Sequence, residues 1–430
     1  MGTAGFFKLK RSCYTPQNQN SIFAHYLMKT MKLTAFSLIA AVLLAGVSSS
    51  ASAQADRINV VTTAVPFLRI SPDARAGGMG DLAIATTPDA SSSFFNLGKV
   101  AFNESPAGIN LTYTPWLKRI VPDVYLASAS GFFKMDETQA LSASLRYFSL
   151  GNIQFTDIGG NLQGNGNPRE FGIDVGYSRR LSDKLGLGVG LKYIYSNLAQ
   201  GATSPTGVYK AGNAVAADLG LYYSGLSEAG QGLALGAAIT NLGSKIAYTD
   251  NAEQKDFIPA NLGLGVTYTA VLDESNKVMF GVDVNKLLVP TPPTFEPNPN
   301  DDPDIDDRNN AKAAAYRSSS VVSGWGKSFN DAPGGMSEEL KEFQISAGAE
   351  YSYNNQFSLR AGYFYEDQTK GNRRFFTAGV GIKYNVFGLN FSYLVPSGGG
   401  GAVQNPLSNT LRFSLVFDLG GDSEGTTSGF

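Results

Sequence analysis

Leu185-Gly-Leu187-Gly-Val189-Gly-Leu191-Lys-Tyr193 is the stretch that decides the fold of this chain: every odd position is apolar, every even one Gly or Lys. Phe171/Ile173/Val175/Tyr177 against Gly172/Asp174/Gly176/Ser178 repeats the pattern, as does Leu411/Phe413/Leu415/Phe417 against Arg412/Ser414/Val416/Asp418. A period of two is the strand period, and long runs of it with one apolar face suit an antiparallel sheet. Segments of about ten such residues separated by turn residues are the mark of a transmembrane β-barrel. Between 109 and 419 the rhythm predicts an all-β, antiparallel barrel of about fourteen strands. Their starts fall near Ile109, Val124, Gln139, Glu170, Leu185, Val215, Gly232, Asn261, Val278, Phe343, Gln356, Phe375, Phe387 and Thr410. The second is the weakest, because 124–133 alternates poorly.

The links between strands sharpen this reading. Those at 134–138, 180–184, 225–231, 271–277, 354–355 and 385–386 are tight, whereas 149–169, 196–213, 243–260, 287–342 and 395–409 are long. Outer-membrane barrels have short periplasmic turns, long extracellular loops and an even strand number, which places both termini in the periplasm. A soluble β-sandwich also alternates apolar and polar residues, but nothing forces its loops to alternate short and long.

Export signals agree. Lys29 and Lys32 precede the apolar run 33–47, and Ala51-Ser-Ala53 follows as a cleavage pattern, so 28–53 reads as a secretory signal peptide too short to span a bilayer. Residues 1–27 lie upstream and read as an over-called start, with Met28 or Met31 the expected true one. With a mean hydropathy of −0.09 and no longer apolar run, the chain enters a membrane only as a closed barrel, since lipid offers no partner to unpaired backbone groups. Forty-nine glycines, 11% aromatic and 16% charged residues fit crowded strands and interfacial belts. Tyr113, Trp116, Tyr147, Tyr195, Tyr223, Tyr268, Tyr353, Tyr365, Tyr384 and Tyr393 all fall near expected strand ends.

The only Cys, Cys13, and the only His, His25, precede the expected cut. Without them a Ser-His-Asp triad, a Cys-His pair, a His-ligated zinc site and a disulfide are excluded. No catalytic, cofactor or metal residues are expected, and no enzyme. After the cut 29 basic residues, five fewer than the 34 of the whole chain, face 36 acidic ones, a net of about −7 that gives no hint of nucleic acid. Gly186-x-Gly188-x-Gly190 looks like part of a nucleotide fingerprint but lies inside a strand, where small lumen-facing residues explain it. Asp301-Asp302-Pro-Asp304-Ile-Asp306-Asp307 lacks the central Gly and closing Glu of a calcium loop and reads as a solvated acidic loop.

Two stretches stand outside the rhythm. Residues 54–108 contain Ser71-Pro-Asp73-Ala-Arg75-Ala-Gly77-Gly78-Met79-Gly80-Asp81 and then Phe94-Phe95-Asn96. A segment of this size at the mouth of a barrel is expected to fold inward as a plug. Its glycines allow close approach to the wall, and Arg75 is expected to pair with Asp73 or Asp81. The loop 287–342 opens Pro-rich, turns acidic and ends with Tyr316, Trp325 and Phe329. Loops this long are usually functional or disordered, and aromatics on them suggest partner contact. With Phe155 and Tyr209 on the two preceding long loops, these are the candidate contact residues; 420–430 is a tail.

A signal peptide, the string Asp73-Ala-Arg75-Ala-Gly77-Gly78-Met79-Gly80, a Ser-rich Phe94-Phe95-Asn96 segment and a fourteen-strand barrel together resemble the PorV family of the Bacteroidetes type IX secretion system. That family sits within the wider FadL-like barrel group. The resemblance covers 54–419, with one departure: related barrels often read Asn-Pro-Ala where this chain has Asn96-Leu97-Gly98. It implies an outer-membrane component without catalysis of its own. Such a component binds cargo C-terminal signal domains at the giant translocon barrel (SprA-like) and delivers them to a surface attachment complex with a PorU-like sortase. The alternative is a FadL-like transporter of hydrophobic small molecules, which requires an apolar pocket near the plug. An enzyme acting on outer-membrane lipid or lipopolysaccharide is the remaining class.

Overall fold

Alternation closes the sheet on itself. In a computed structural model, described here for residues 58–116, 123–156, 159–199, 203–204, 207–250, 255–299, 301–397 and 410–420, fourteen strands form a closed antiparallel barrel. They are β1 Ala107–Pro115, β2 Tyr125–Lys134, β3 Gln139–Ser149, β4 Arg169–Arg180, β5 Leu185–Asn197, β6 Gly212–Leu226 and β7 Gly232–Gly243. The second half comprises β8 Asn261–Val271, β9 Asn276–Leu287, β10 Gln344–Tyr353, β11 Phe357–Tyr365, β12 Arg374–Tyr384, β13 Phe387–Pro396 and β14 Thr410–Leu419. Each pairs with its neighbours in sequence, and β1 closes on β14 with Ala107 opposite Leu419. The expected signal peptide at 28–53, the upstream 1–27 and the tail from 421 lie outside the described residues.

Along β5 the outward Leu187, Val189, Leu191 and Tyr193 are exposed, while the inward Gly186, Gly188, Lys192 and Ser196 are buried. Such apolar-out, polar-in packing is what lipid outside and a filled lumen inside impose. No helix among the described residues is long and apolar enough to cross a membrane, so any crossing is by strands. On β2 the rhythm is blurred because its inward positions include Leu126 and Phe132. These pack against Phe67 and Leu68, and against Leu97 and Val100, of the segment that precedes β1.

All tight turns gather at one rim and all long links at the other. Three long links carry small hairpins that alternation did not reveal: Ile153–Thr156 with Leu162–Gly166, Thr203–Ser204 with Gly207–Val208, and Ile246–Ala247 with Lys255–Asp256. At the long-loop rim an outward girdle runs through Tyr113, Tyr125 and Tyr147, with ring centroids 5.5 and 6.2 Å apart, and on through Phe171 and Tyr195 at 4.9 Å. Tyr365 and Tyr393 continue it on the far side of the β1–β14 seam.

Residues 58–106 run through the ring in short 3-10 and α turns. They begin among the long loops, where the Asn59 N–H donates to the Thr369 carbonyl (3.1 Å) and the Ala64 N–H to that of Phe257 (2.9 Å). They end at Pro106 on the opposite rim, whose carbonyl accepts from the Lys134 N–H (2.7 Å). The two ends of the barrel sheet therefore share the short-turn rim, as expected of an even strand number. The first described residues, by contrast, lie at the other rim.

Candidate functional site

The interior is where chemistry-bearing side chains collect. Asp73 caps the short helix Ala74–Gly77 by accepting from the Ala76 N–H (2.8 Å), which uses the carboxylate that the sequence offered to Arg75. Arg75 instead crosses the lumen. Its Nε and Nη2 donate to Glu350 on β10 (3.0 and 2.7 Å), and its Nη1 donates to Asp89 (2.8 Å) and the Thr87 carbonyl (3.0 Å). Glu350 also accepts from Arg360 on β11 (2.6 Å), and Arg360 donates to Asn390 on β13 (2.8 Å). Two-pronged pairing of this kind fixes orientation as well as charge. Asp81 is no partner to Arg75 either; it lies 3.7 Å from Arg412 of β14.

The string Gly77-Gly78-Met79-Gly80 sits against β10 to β14. Gly80 has φ +70°, and a Cβ there would lie 2.7 Å from the Tyr363 backbone, so only Gly meets both demands. Met79 is buried with Leu82 and Met279. Gly362 of β11 makes its room, since a Cβ at 362 would overlap the Met79 carbonyl carbon. The apparent nucleotide fingerprint has the same explanation: Gly188 leaves space for Leu97.

Further pairs tie the wall together. Lys192 on β5 lies 3.0 Å from both Asp174 and Asp218 and donates to Asn241 (2.6 Å). Asp283 of β9 accepts from the Ala83 and Ile84 N–H groups (2.7 and 2.8 Å). Asn96 donates to the carbonyls of Ile84 and Leu221 (3.0 and 2.9 Å), knitting the Asn96-Leu97-Gly98 departure into β6. Above the segment lies a cavity of about 140 Å³ with a mixed lining, in which Arg69, Asp81, Arg146, Lys192 and Asp283 alternate with apolar Leu68, Ile84, Phe94 and Phe364. Below it a vestibule of about 550 Å³, lined by Arg75, Asp89, Glu104, Arg180 and Glu228 among others, opens at the short-turn rim.

The long link between β9 and β10 is built rather than slack. Asp302 caps a helix Pro303–Ser318, with Pro at its first position, and Ser320 caps a second, Val321–Lys327. The acidic cluster is thus a helix start. Tyr316, expected as a contact residue, turns inward: its hydroxyl donates to the Pro290 carbonyl (3.2 Å) and its ring lies 5.7 Å from that of Phe257. Burial there pushes its hydroxyl up to about 12. Trp325 and Tyr209 are half-buried, Phe155 is half-buried within its hairpin, and Phe329 is exposed beside Lys286. Lys286 carries Glu339 (2.7 Å) and Glu342 (2.8 Å), and Lys370 carries Glu338 (2.6 Å) and Glu342 (3.0 Å). These pairs, which spacing in the sequence does not reveal, anchor the link.

At the same rim Glu366 takes Arg69 (3.1 Å) and Arg373 (2.7 Å). Burial pushes this carboxyl up, but the hydrogen bond and charge of Arg373, with the charge of Arg69, hold it below its ordinary value of 4.5. A depressed carboxyl contributes stability above its unfolded value and loses it as pH falls through the folded one. Glu366→Gln is therefore expected to lower the melting temperature at neutral pH. The gap to the parent should close as pH falls below about 4.5 in thermal scans; a gap independent of pH would rule the ion pairs out as its source.

A family model described as type IX secretion system protein PorV matches residues 52–294, more than half of the chain. No curated protein matches the sequence. Among solved structures the Ralstonia pickettii toluene transporter TbuX is similar at 12% identity and a TM-score of 0.45, over 81% of this chain and 97% of that one. The Pseudomonas putida toluene transporter TodX is similar at 14% and 0.45, over 79% and 95%. A Pseudomonas aeruginosa FadL homologue is similar at 12% and 0.44, over 84% and 99%. With the family match and the closed lipid-faced barrel together, this chain is an outer-membrane protein and belongs to the PorV family of the type IX secretion system.

Proposed function

We propose that the protein is a non-catalytic carrier within type IX secretion. It binds the C-terminal signal domains of cargo at a SprA-like translocon barrel and delivers them to the attachment complex with its PorU-like sortase. One observation carries this reading: residues 58–106 cross the lumen and are tied to its wall by Arg75, Asn96 and Asp283, so they serve as a plug. A filled bore is no conduit for folded protein, and the long loops are left as the surface that holds a partner. In this reading the long-loop rim faces the cell exterior and the short turns face the periplasm. Phe155, Tyr209, Trp325 and Phe329 are the contact aromatics, while Tyr316 supports the loop from beneath.

Affinity purification of the tagged protein from its native outer membrane, with mass spectrometry of what stays bound, tests this. Recovery of a giant barrel, a sortase or proteins sharing one C-terminal domain supports it. Recovery of the barrel alone with a stoichiometric hydrophobic molecule overturns it in favour of transport. Deleting 310–337 is expected to leave a folded barrel that no longer supports cargo export, read as loss of cargo from the cell surface.

A further inference from the structure

The aromatic girdle of the long-loop rim is interrupted. From β11 through the seam to β5 the outward positions near this rim carry Tyr365, Tyr393, Tyr113, Tyr147 and Tyr195, the amphipathic rings that hold a barrel at headgroup depth. On β6, β8, β9 and β10 the equivalent positions are Val215, Leu262, Val284 and Ile345, none of them Tyr, Trp or Phe.

The long link crosses the wall in this same sector. Lys286 follows Phe280, Val282 and Val284 along the outward-facing parity of β9, and Val282 and Phe280 are open to the outside. Lys286 is nonetheless 1% exposed, because Glu339 and Glu342 close over its ammonium and the rings of Phe329 and Phe343 lie 5.7 and 5.3 Å from it. Glu339 and Glu342 thus cover the outward side of β9 at the rim, while Glu338 and Glu342 also reach Lys370 of the link between β11 and β12. The stretch 329–343 leaves the large apolar Met336 (63% exposed) and Leu340 (62%) open, and Ile345, the first exposed outward residue of β10, follows them in the chain.

We infer that residues 329–343 form a lipid-contacting flap that takes the place of the missing girdle, its Met336 and Leu340 seated at the boundary of headgroups and acyl chains. Large apolar side chains held beside an uninterrupted apolar belt are solvated by the same bilayer as that belt. The polar side of the flap, with Glu339 and Glu342, turns to Lys286 and away from lipid, the division an interfacial segment requires. The ion pairs act as the hinge pin that holds this orientation.

A single indole tests it in the full chain. Trp116 and Trp325 are the only tryptophans. In a Trp116→Phe, Trp325→Phe background, Leu340→Trp is reconstituted into phosphatidylcholine vesicles containing lipid brominated near the headgroup end of the acyl chain. Leu264→Trp, on the lipid-facing wall, and Ala314→Trp, on the exposed face of helix Pro303–Ser318, are the references. The expected result is a loss of emission at position 340 comparable to that at 264, with position 314 unaffected. Emission at 340 that brominated lipid does not touch overturns the flap. Aqueous acrylamide quenching then identifies solvent, while protection from both quenchers with a cross-linked dimer identifies a protein surface. Met336→Trp repeats the reading should Leu340→Trp fail to give barrel circular dichroism.

Discussion

Gly362→Val is expected to dislodge the segment that crosses the lumen while leaving the fourteen strands in place. The new Cβ would overlap the carbonyl carbon of Met79, and Met79 is itself fixed by Leu82 and Met279 on one side and by the bend at Gly80 on the other. Overpacking usually costs about 1–3 kcal/mol because side chains yield. Here the opposing atom is backbone, and the Gly80 N–H is held by Thr377 (2.8 Å), so the upper end of that range or more is expected. Planar-bilayer recordings should show conductance that the parent lacks, and protease should cut between 57 and 106. Gly172→Ala, where the nearest atom to a Cβ is 3.5 Å away in ordinary contact, is the control expected to be silent. A closed, protease-resistant Gly362→Val barrel would mean the close approach is not what holds the segment.

Arg75→Met should be nearly as damaging, through charge rather than volume. The Arg75 and Glu350 side chains are 13% and 9% exposed, and removing one partner of a buried pair costs about 3–5 kcal/mol. Glu350 keeps Arg360 and Asp89 keeps Ser91 and Ser92 on its Oδ1, which favours the lower end, whereas Asp89 Oδ2 and the Thr87 carbonyl lose the guanidinium. An exposed pair such as Lys134–Glu137 is worth only about 0–1 kcal/mol, so Glu137→Gln is expected to change nothing measurable. Native-state hydrogen exchange separates the two. The Gly77, Gly78 and Met79 amides, bonded to carbonyls of 73, 74 and 76, should exchange about a hundredfold or more faster in Arg75→Met, at roughly 1.4 kcal/mol per tenfold. Unchanged protection would remove the pair from the account of how the lumen is filled.

The strand count and most strand starts were legible because lipid on one side and a crowded lumen on the other enforce period two at nearly every position. Gln139, Leu185, Gly232, Asn261, Phe387 and Thr410 begin strands where the rhythm begins. Val215 and Val278 were late because Gly212 and Asn276 pair without an apolar outward side chain. β2 was blurred by inward Leu126 and Phe132, which are apolar for the sake of the segment they pack on. The partner of Arg75 was not legible. Glu350 lies 275 residues away, and nothing local distinguishes it from Asp73 or Asp81 until register places it across the lumen. The helices of the long link were legible in principle, since Asp302-Pro303 is an N-cap followed by Pro at the first helical position. Helix Pro303–Ser318 turns in little besides Tyr316 and has no apolar stripe, so the periodic signal that usually reveals a helix was missing.

Residues 58–64 sit among the long loops while Pro106 sits at the opposite rim, with the chain strung between them inside the ring. That path dictates an order of assembly. The seam that completes the ring joins β1 to β14, the two ends of the sheet, so the ring stays open until all fourteen strands are paired. Drawing the stretch 58–106 afterwards through a bore whose walls carry Arg75's partner, Asp283 and the glycines that fit Met79 would strip each of those groups of its neighbour on the way. A ring that closes with residues 58–106 already inside it leaves none of those groups unpaired on the way.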